Sequence, residues 1–174
     1  MTALPTQHTT GPYRIAMVCL GNICRSPVAD VVMNARLAES PLSGAVVVDS
    51  CGTAGWHAGN EMDPRSAATL SAAGYDPTRH RAQQFTASMR TTHDLLLAMD
   101  RSNLSDLGGA SERVRLFRDW DPHFPGGEVP DPYYGGPDGF EEVLGMIERT
   151  CGALLADLTE ALGHAPEHSE SAGR

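Results

Sequence analysis

The sequence contains no lysine: all 13 basic residues among its 174 are arginine, against 22 acidic ones, for a formal charge of −9. With a pI near 5.1, it lacks the basic face that a nucleic-acid-binding surface needs. Any anionic ligand must therefore be met by a small local cluster of arginines. The arginine-only usage itself fits a GC-rich genome and says nothing of mechanism. Cysteine is also scarce, with four at positions 19, 24, 51 and 151, and no C-x2-C spacing. That argues against a structural zinc site or any other metal centre, and against a disulfide framework. Free thiols point to a reducing cytoplasm as the expected location. No apolar run approaches the roughly 20 residues of a membrane span. The opening MTALPTQHTTGPYR has neither a charged n-region nor an apolar core, so no secretory signal is expected.

Hydrophobic residues make up 41% of the chain, enough for one sizeable core. Residues 1–12 and 164–174 are polar and without period; both are expected to be disordered tails around a domain at 13–163. Apolar runs at 14–18, 45–49, 93–99 and 114–117 read as strands. Between them lie helical patterns, opening at Ser26-Pro27 and Asp63-Pro64, where a capping residue precedes a proline. A short helix is expected at 102–107. A last one is expected to be capped by Asp138 with Glu141 in a capping box, running to about Leu162. The alternation predicts an α/β fold, a four-stranded parallel sheet with helices on both faces and a phosphate-binding loop after strand 1. The Gly/Pro-rich stretch at 118–137 is long for a connection, and such loops are usually functional.

The chemistry concentrates in Cys19-Leu20-Gly21-Asn22-Ile23-Cys24-Arg25-Ser26-Pro27. A strand hands over to a helix here, so successive backbone N–H groups can converge on an anion. Gly21 and Asn22 are the residues that most readily take the positive φ of such a cradle. Leu20, Gly21, Asn22, Ile23, Cys24, Arg25 and Ser26 together form the expected phosphate-binding set. A thiol at its mouth should ionise easily; cysteines so placed have pKa values of roughly 3.5–7.5, against about 8.5 when free. Arg25, six residues on, can grip two phosphate oxygens with one fork. The Ser26 hydroxyl is placed to hydrogen-bond the thiolate. The set suits attack on phosphorus through a cysteinyl-phosphate. The bland alternative is a buried strand-end thiol and a surface arginine. A bare C-x5-R would leave that alternative ahead; the strand, Gly-Asn, Ser-Pro and helix arriving in register favour the cradle.

CLGNICRSP at 19–27, with Asp131-Pro132-Tyr133-Tyr134-Gly135 late in the chain, resembles the low-molecular-weight protein tyrosine phosphatases, over everything but the tails. The resemblance implies hydrolysis of phosphotyrosine without metal or cofactor, with Cys19 as nucleophile, Arg25 as clamp and Asp131 as general acid. Locally, Asp131-Pro132 and Asp121-Pro122 both read as turns, and only the resemblance selects Asp131. It further implies that Ile23, Trp56, Tyr133 and Tyr134 wall the substrate pocket, where an isolated tryptophan would otherwise read as a core plug. Asn22, Ser50, His80 and Asp100 are implied as a polar network supporting the loop; sequence alone would leave His80 on the surface. Cys24 reads equally as a partner for a reversible disulfide with Cys19 or as a small residue packed under the helix. Cys51 and Cys151 read as structural, and Asp63 and Arg65 as cap and salt bridge.

Ile23 stands where related protein-arginine phosphatases carry Thr, which favours an aromatic ester. The implied partners are a tyrosine-phosphorylated protein and, as a candidate, a tyrosine kinase, with no nucleic acid or membrane. An arsenate reductase on the same fold would need resolving cysteines mid-chain, and residues 52–150 contain none. A module that only binds phosphotyrosine would need neither a nucleophile nor an acid.

Overall fold

The computed structural model describes residues 2–163, so the expected C-terminal tail at 164–174 lies outside the described residues. Four strands, β1 (Tyr13–Cys19), β2 (Val46–Gly52), β3 (Leu95–Ala98) and β4 (Val114–Leu116), form one sheet in the order β2-β1-β3-β4, all parallel. The central strand β1 runs alongside β2 from Tyr13 opposite Val46 to Cys19 opposite Gly52, and alongside β3 from Ile15 opposite Leu95. Its near-continuous apolar sequence follows from burial on both faces. On one face Ile15, Met17, Leu95 and Leu97 pack against Val28, Val32, Ile147 and Leu154 of the helices α1 (Arg25–Ala38) and α5 (Pro137–Leu162). On the other, Ala16, Val18, Leu96 and Ala98 meet Met89 of α3 (Met89–Thr92), with Leu104 of α4 (Arg101–Asp106) against them. The chain leaves β1 for β2 on one side and returns to β3 on the other. The sheet order therefore reverses beside β1, and Cys19 ends that strand where open α/β sheets bind ligands.

The helix α2 (Pro64–Ala72) starts as expected, with Asp63 accepting from the Arg65 N–H at 2.8 Å. Two other caps differ. Cys24 rather than Ser26 precedes α1, and Ser26 lies inside its first turn with its hydroxyl turned towards Cys19. Gly136 precedes α5, Pro137 is its first residue, and Asp138 sits in the first turn without a capping bond. A carboxylate there still favours the helix through the macrodipole. Leu116 is followed by a 3-10 turn at Phe117–Trp120, which opens the long loop.

The N-terminal segment departs from the expected disordered tail. It has no regular structure, yet the buried Asp94 carboxylate accepts from the His8 and Thr9 N–H groups (2.8 and 3.0 Å), the Thr9 hydroxyl (2.7 Å) and the Arg14 N–H (2.9 Å). Burial opposes the charge, but those donors hold the Asp94 carboxyl below its ordinary range. Tyr13 donates to the Pro5 carbonyl and Arg115 to that of Ala3, and Leu4 packs on the core. A polar segment can thus be ordered by one buried acceptor far along the chain.

Candidate active site

The loop between β1 and α1 curls around the Cys19 sulfur. The Asn22 N–H donates to Sγ at 3.3 Å, and the Ser26 Oγ lies 2.9 Å from it. Asn22 Nδ2 donates to that same Ser26 oxygen at 2.8 Å, so the hydroxyl proton points to one of two acceptors, the sulfur at 2.9 Å or the Cys51 carbonyl at 3.4 Å. Asn22 has φ +55°, the one positive φ outside glycine among the described residues. This conformation costs a non-glycine residue about 1 kcal/mol or more, and three contacts hold it. The Asn22 carbonyl accepts from His80 Nε2 at 2.7 Å, its Oδ1 accepts from the Gln83 N–H at 3.0 Å, and Nδ2 is on Ser26. Burial lowers the His80 pKa, so the ring that braces the loop is neutral near pH 7.

Gly52 explains itself by close approach: a Cβ there would stand 2.7 Å from the Leu20 carbonyl and 3.0 Å from the Asn22 nitrogen. Among the described residues the amides of Gly21, Ile23 and Cys24 find no acceptor in the protein. Backbone N–H groups are rarely left so unless an anion or water takes them.

Arg25 is buried, 3% exposed, in the first turn of α1. Its Nη1 donates to Asp100 Oδ2 at 2.5 Å and to the Val129 carbonyl at 3.0 Å, and its Nη2 stands 3.6 Å from Asp131 Oδ2. Burial works against its charge, but Cys19, Asp100 and Asp131 together raise its pKa. Asp100 therefore acts through Arg25, and its other oxygen caps α4 at Asn103. Ser50 does not touch the loop either. Its hydroxyl donates to Asp30 at 2.8 Å, and its carbonyl receives Gln83 Nε2 at 2.8 Å, the residue whose N–H holds Asn22. The support runs Asp30, Ser50, Gln83, Asn22. Asp30 and Gln83 were not legible from sequence, because each acts through a partner distant along the chain.

Burial pushes the Asp30 carboxyl up to about 6; hydrogen bonds from Ser50 and Asn34 offset part of this, and Asp49 adds to it. This folded value lies above the unfolded one of about 3.9. Protonated Asp30 thus contributes stability that is complete below about pH 4 and is lost as pH rises through 6. Asp30→Asn should gain stability over wild type between pH 5 and pH 8, by about 1–2 kcal/mol once residual solvation is allowed for. Urea unfolding of both proteins at the two pH values measures it; a difference that does not change with pH contradicts it.

These groups line one cavity of about 150 Å³, walled by Cys19, Ile23, Arg25, Trp56, Asp131 and Tyr133. Cys24, His57 and Tyr134 also line it, and His57 lies against Gly21. Trp56 is 74% exposed and so is a rim residue, not a core plug. Tyr134 meets the Tyr133 ring edge-on, with centroids 4.9 Å apart. The two Asp-Pro pairs separate cleanly. Asp121 is fully buried and bound by Arg118, Arg149 and the His123 N–H, which hold its carboxyl well below the usual range. Asp131 is partly exposed and faces the cavity, and its Oδ1 accepts from the Tyr133 N–H at 3.1 Å.

All four thiols are free. Burial pushes Cys24 and Cys151 up to about 12 and Cys51 higher still. None of these three competes as a nucleophile near neutral pH. Among the described residues no group of His, Cys, Asp and Glu could hold a metal ion, and no helix is long and apolar enough to cross a membrane.

Residues 14–164 match the model of the low molecular weight phosphotyrosine protein phosphatase family. The chain belongs to this phosphatase family. A low molecular weight protein-tyrosine-phosphatase of Streptomyces coelicolor is 47% identical over 156 residues, covering 85% of this chain and 94% of the relative. Low molecular weight protein-tyrosine phosphatase A of Mycobacterium tuberculosis is 44% identical over 148 residues, covering 82% and 90%. Among solved structures, a protein tyrosine phosphatase from Entamoeba histolytica with Hepes in the active site superposes with TM-score 0.80 at 32% identity, covering 86% of this chain and 98% of that one. YfkJ from Bacillus subtilis gives 0.81 at 30%, covering 90% and 99%. The family and the four-stranded parallel fold expected from sequence are those found.

Proposed function

We propose that this phosphatase hydrolyses phosphotyrosine in proteins through a cysteinyl-phosphate on Cys19. The observation that carries the reading is the meeting of the Cys19 sulfur, the Arg25 fork and the Asp131 carboxyl in one aromatic-rimmed cavity. The amides of the loop and Arg25 hold the phosphate's oxygens, and Ile23, Trp56 and Tyr133 flank the ring. The Cys19 thiolate attacks phosphorus as the bond to the phenolic oxygen breaks, and Asp131 gives that oxygen its proton. Asp131, now a carboxylate, takes a proton from water. The water oxygen bonds to phosphorus, the S–P bond breaks, and orthophosphate leaves. Ser26, its oxygen engaged by Asn22, donates to the departing thiolate. Apolar Ile23 in the loop favours an aromatic ester over phosphoarginine. The acidic surface and free thiols support a cytoplasmic enzyme that meets phosphoproteins, a tyrosine kinase among the candidates, and not nucleic acid or membrane.

Asp131→Asn tests the acid. A good leaving group needs no proton, so the loss in kcat/KM, which reports the step that expels the leaving group, should be about 10²–10³-fold with phenyl phosphate and under about tenfold with an activated aryl phosphate. Equal losses on both esters would remove Asp131 from that role.

A further inference from the structure

The acid loop reaches the phosphate loop through a third element. Among the described residues no side chain outside 131–136 donates to that segment's backbone except Arg65, whose Nη1 bonds the Tyr133 carbonyl at 3.0 Å. The same guanidinium lies 5.3 Å from the Tyr133 ring centroid and 4.6 Å from that of Phe140 in α5. Its other face is fixed on Asp63, through Nε to Oδ1 at 3.0 Å and Nη2 to Oδ2 at 2.8 Å. Asp63 caps α2 and donates its own N–H to the Ile23 carbonyl of the phosphate loop at 2.9 Å. Tyr133 in turn positions Asp131 through its N–H. A continuous path therefore runs from Ile23 through Asp63, Arg65 and Tyr133 to Asp131.

We propose that Arg65 is the positioning residue that holds the acid loop in register with the phosphate loop, so that its loss impairs the proton transfer by Asp131 and not phosphate binding. The inference rests on the reading of Asp131 as the acid. Arg65 touches neither thiol nor phosphate site, and the flanking Gly135 and Gly136 leave the loop little stiffness of its own. A planar fork is needed, because one group must serve two carboxylate oxygens, one carbonyl and two ring faces.

The experiment compares Arg65→Ala and Arg65→Lys with wild type on phenyl phosphate and on an activated aryl phosphate. Lysine keeps a charge for Asp63 but cannot keep all the contacts, so it controls for folding. Both variants should lose about 10-fold or more of kcat/KM with phenyl phosphate and under about threefold with the activated ester, while inhibition by inorganic phosphate stays unchanged. Placed in the Asp131→Asn background, Arg65→Ala should add no further loss on phenyl phosphate. Equal losses on both esters, weakened phosphate inhibition, or full additivity with Asp131→Asn would overturn the assignment. If Asp131→Asn were itself indifferent to the leaving group, the acid assignment would fall first and the positioning role with it.

Discussion

Cys19→Ser should end phosphotyrosine turnover, with a loss of more than about 10⁴-fold, while leaving a folded protein that still binds the phosphopeptide. The substitution keeps the size of the side chain and both neighbours of the sulfur. What it removes is the ionisation: an alcohol attacks only when a base takes its proton, and Cys19 has no base among its hydrogen-bond partners. Those partners are the Ser26 hydroxyl and the Asn22 N–H, each placed to donate. Both stabilise an anion and neither creates one. Cys24 cannot substitute, since its pKa is pushed up to about 12. Initial rates with a phosphotyrosine peptide, together with binding of the same peptide to the variant, measure both halves. Residual turnover within about 100-fold of wild type would mean that another group attacks phosphorus.

Arg25→Lys should lower kcat/KM by about 10²–10³-fold and weaken inhibition by inorganic phosphate, although the charge is retained. The reason is division of labour within one guanidinium. Nη1 is spent on Asp100 and the Val129 carbonyl, which aim the group and leave the rest of the fork for the ligand. An ammonium on a shorter, more flexible stem can satisfy Asp100 or the phosphate but not both with that geometry. The half-buried Asp100 carboxylate is then left under-bonded, and some stability goes with it. A loss below about tenfold in kcat/KM would show that charge alone, not the fork, does the work.

Legibility from sequence followed the range of the interactions. Cys19, the loop and Arg25 lie within seven consecutive residues, so strand, cradle and helix entry were all visible in one window. Ser26 reads as a cap because Ser-Pro is a capping signature. Its hydroxyl had a second local use, on Cys19 and Asn22, and that use won. Asp131 was not separable locally from Asp121. The distinction lies in Arg118 and Arg149, which occupy Asp121 and leave Asp131 facing the cavity. Asp30 and Gln83 were beyond reach for the same reason, since their partners stand 20 to 61 positions away. Gly52 did leave a signal, a glycine at a strand end, which commonly marks close backbone approach. The order at 2–12 depends on Asp94, some 80 residues on, and no pattern within the segment announces it.

The most direct test of the account is to look for the intermediate. Asp131→Asn, mixed with an activated aryl phosphate and quenched on the millisecond scale, should carry one phosphoryl group, and peptide mapping should place it on the sulfur of Cys19. The phosphoryl group should build up in a burst with release of the aryl alcohol, because this leaving group needs no proton to depart while, without the carboxylate, the attacking water is not activated. Phosphate found on another residue, or aryl alcohol and orthophosphate released together with no phosphoenzyme at any time point, would contradict the mechanism.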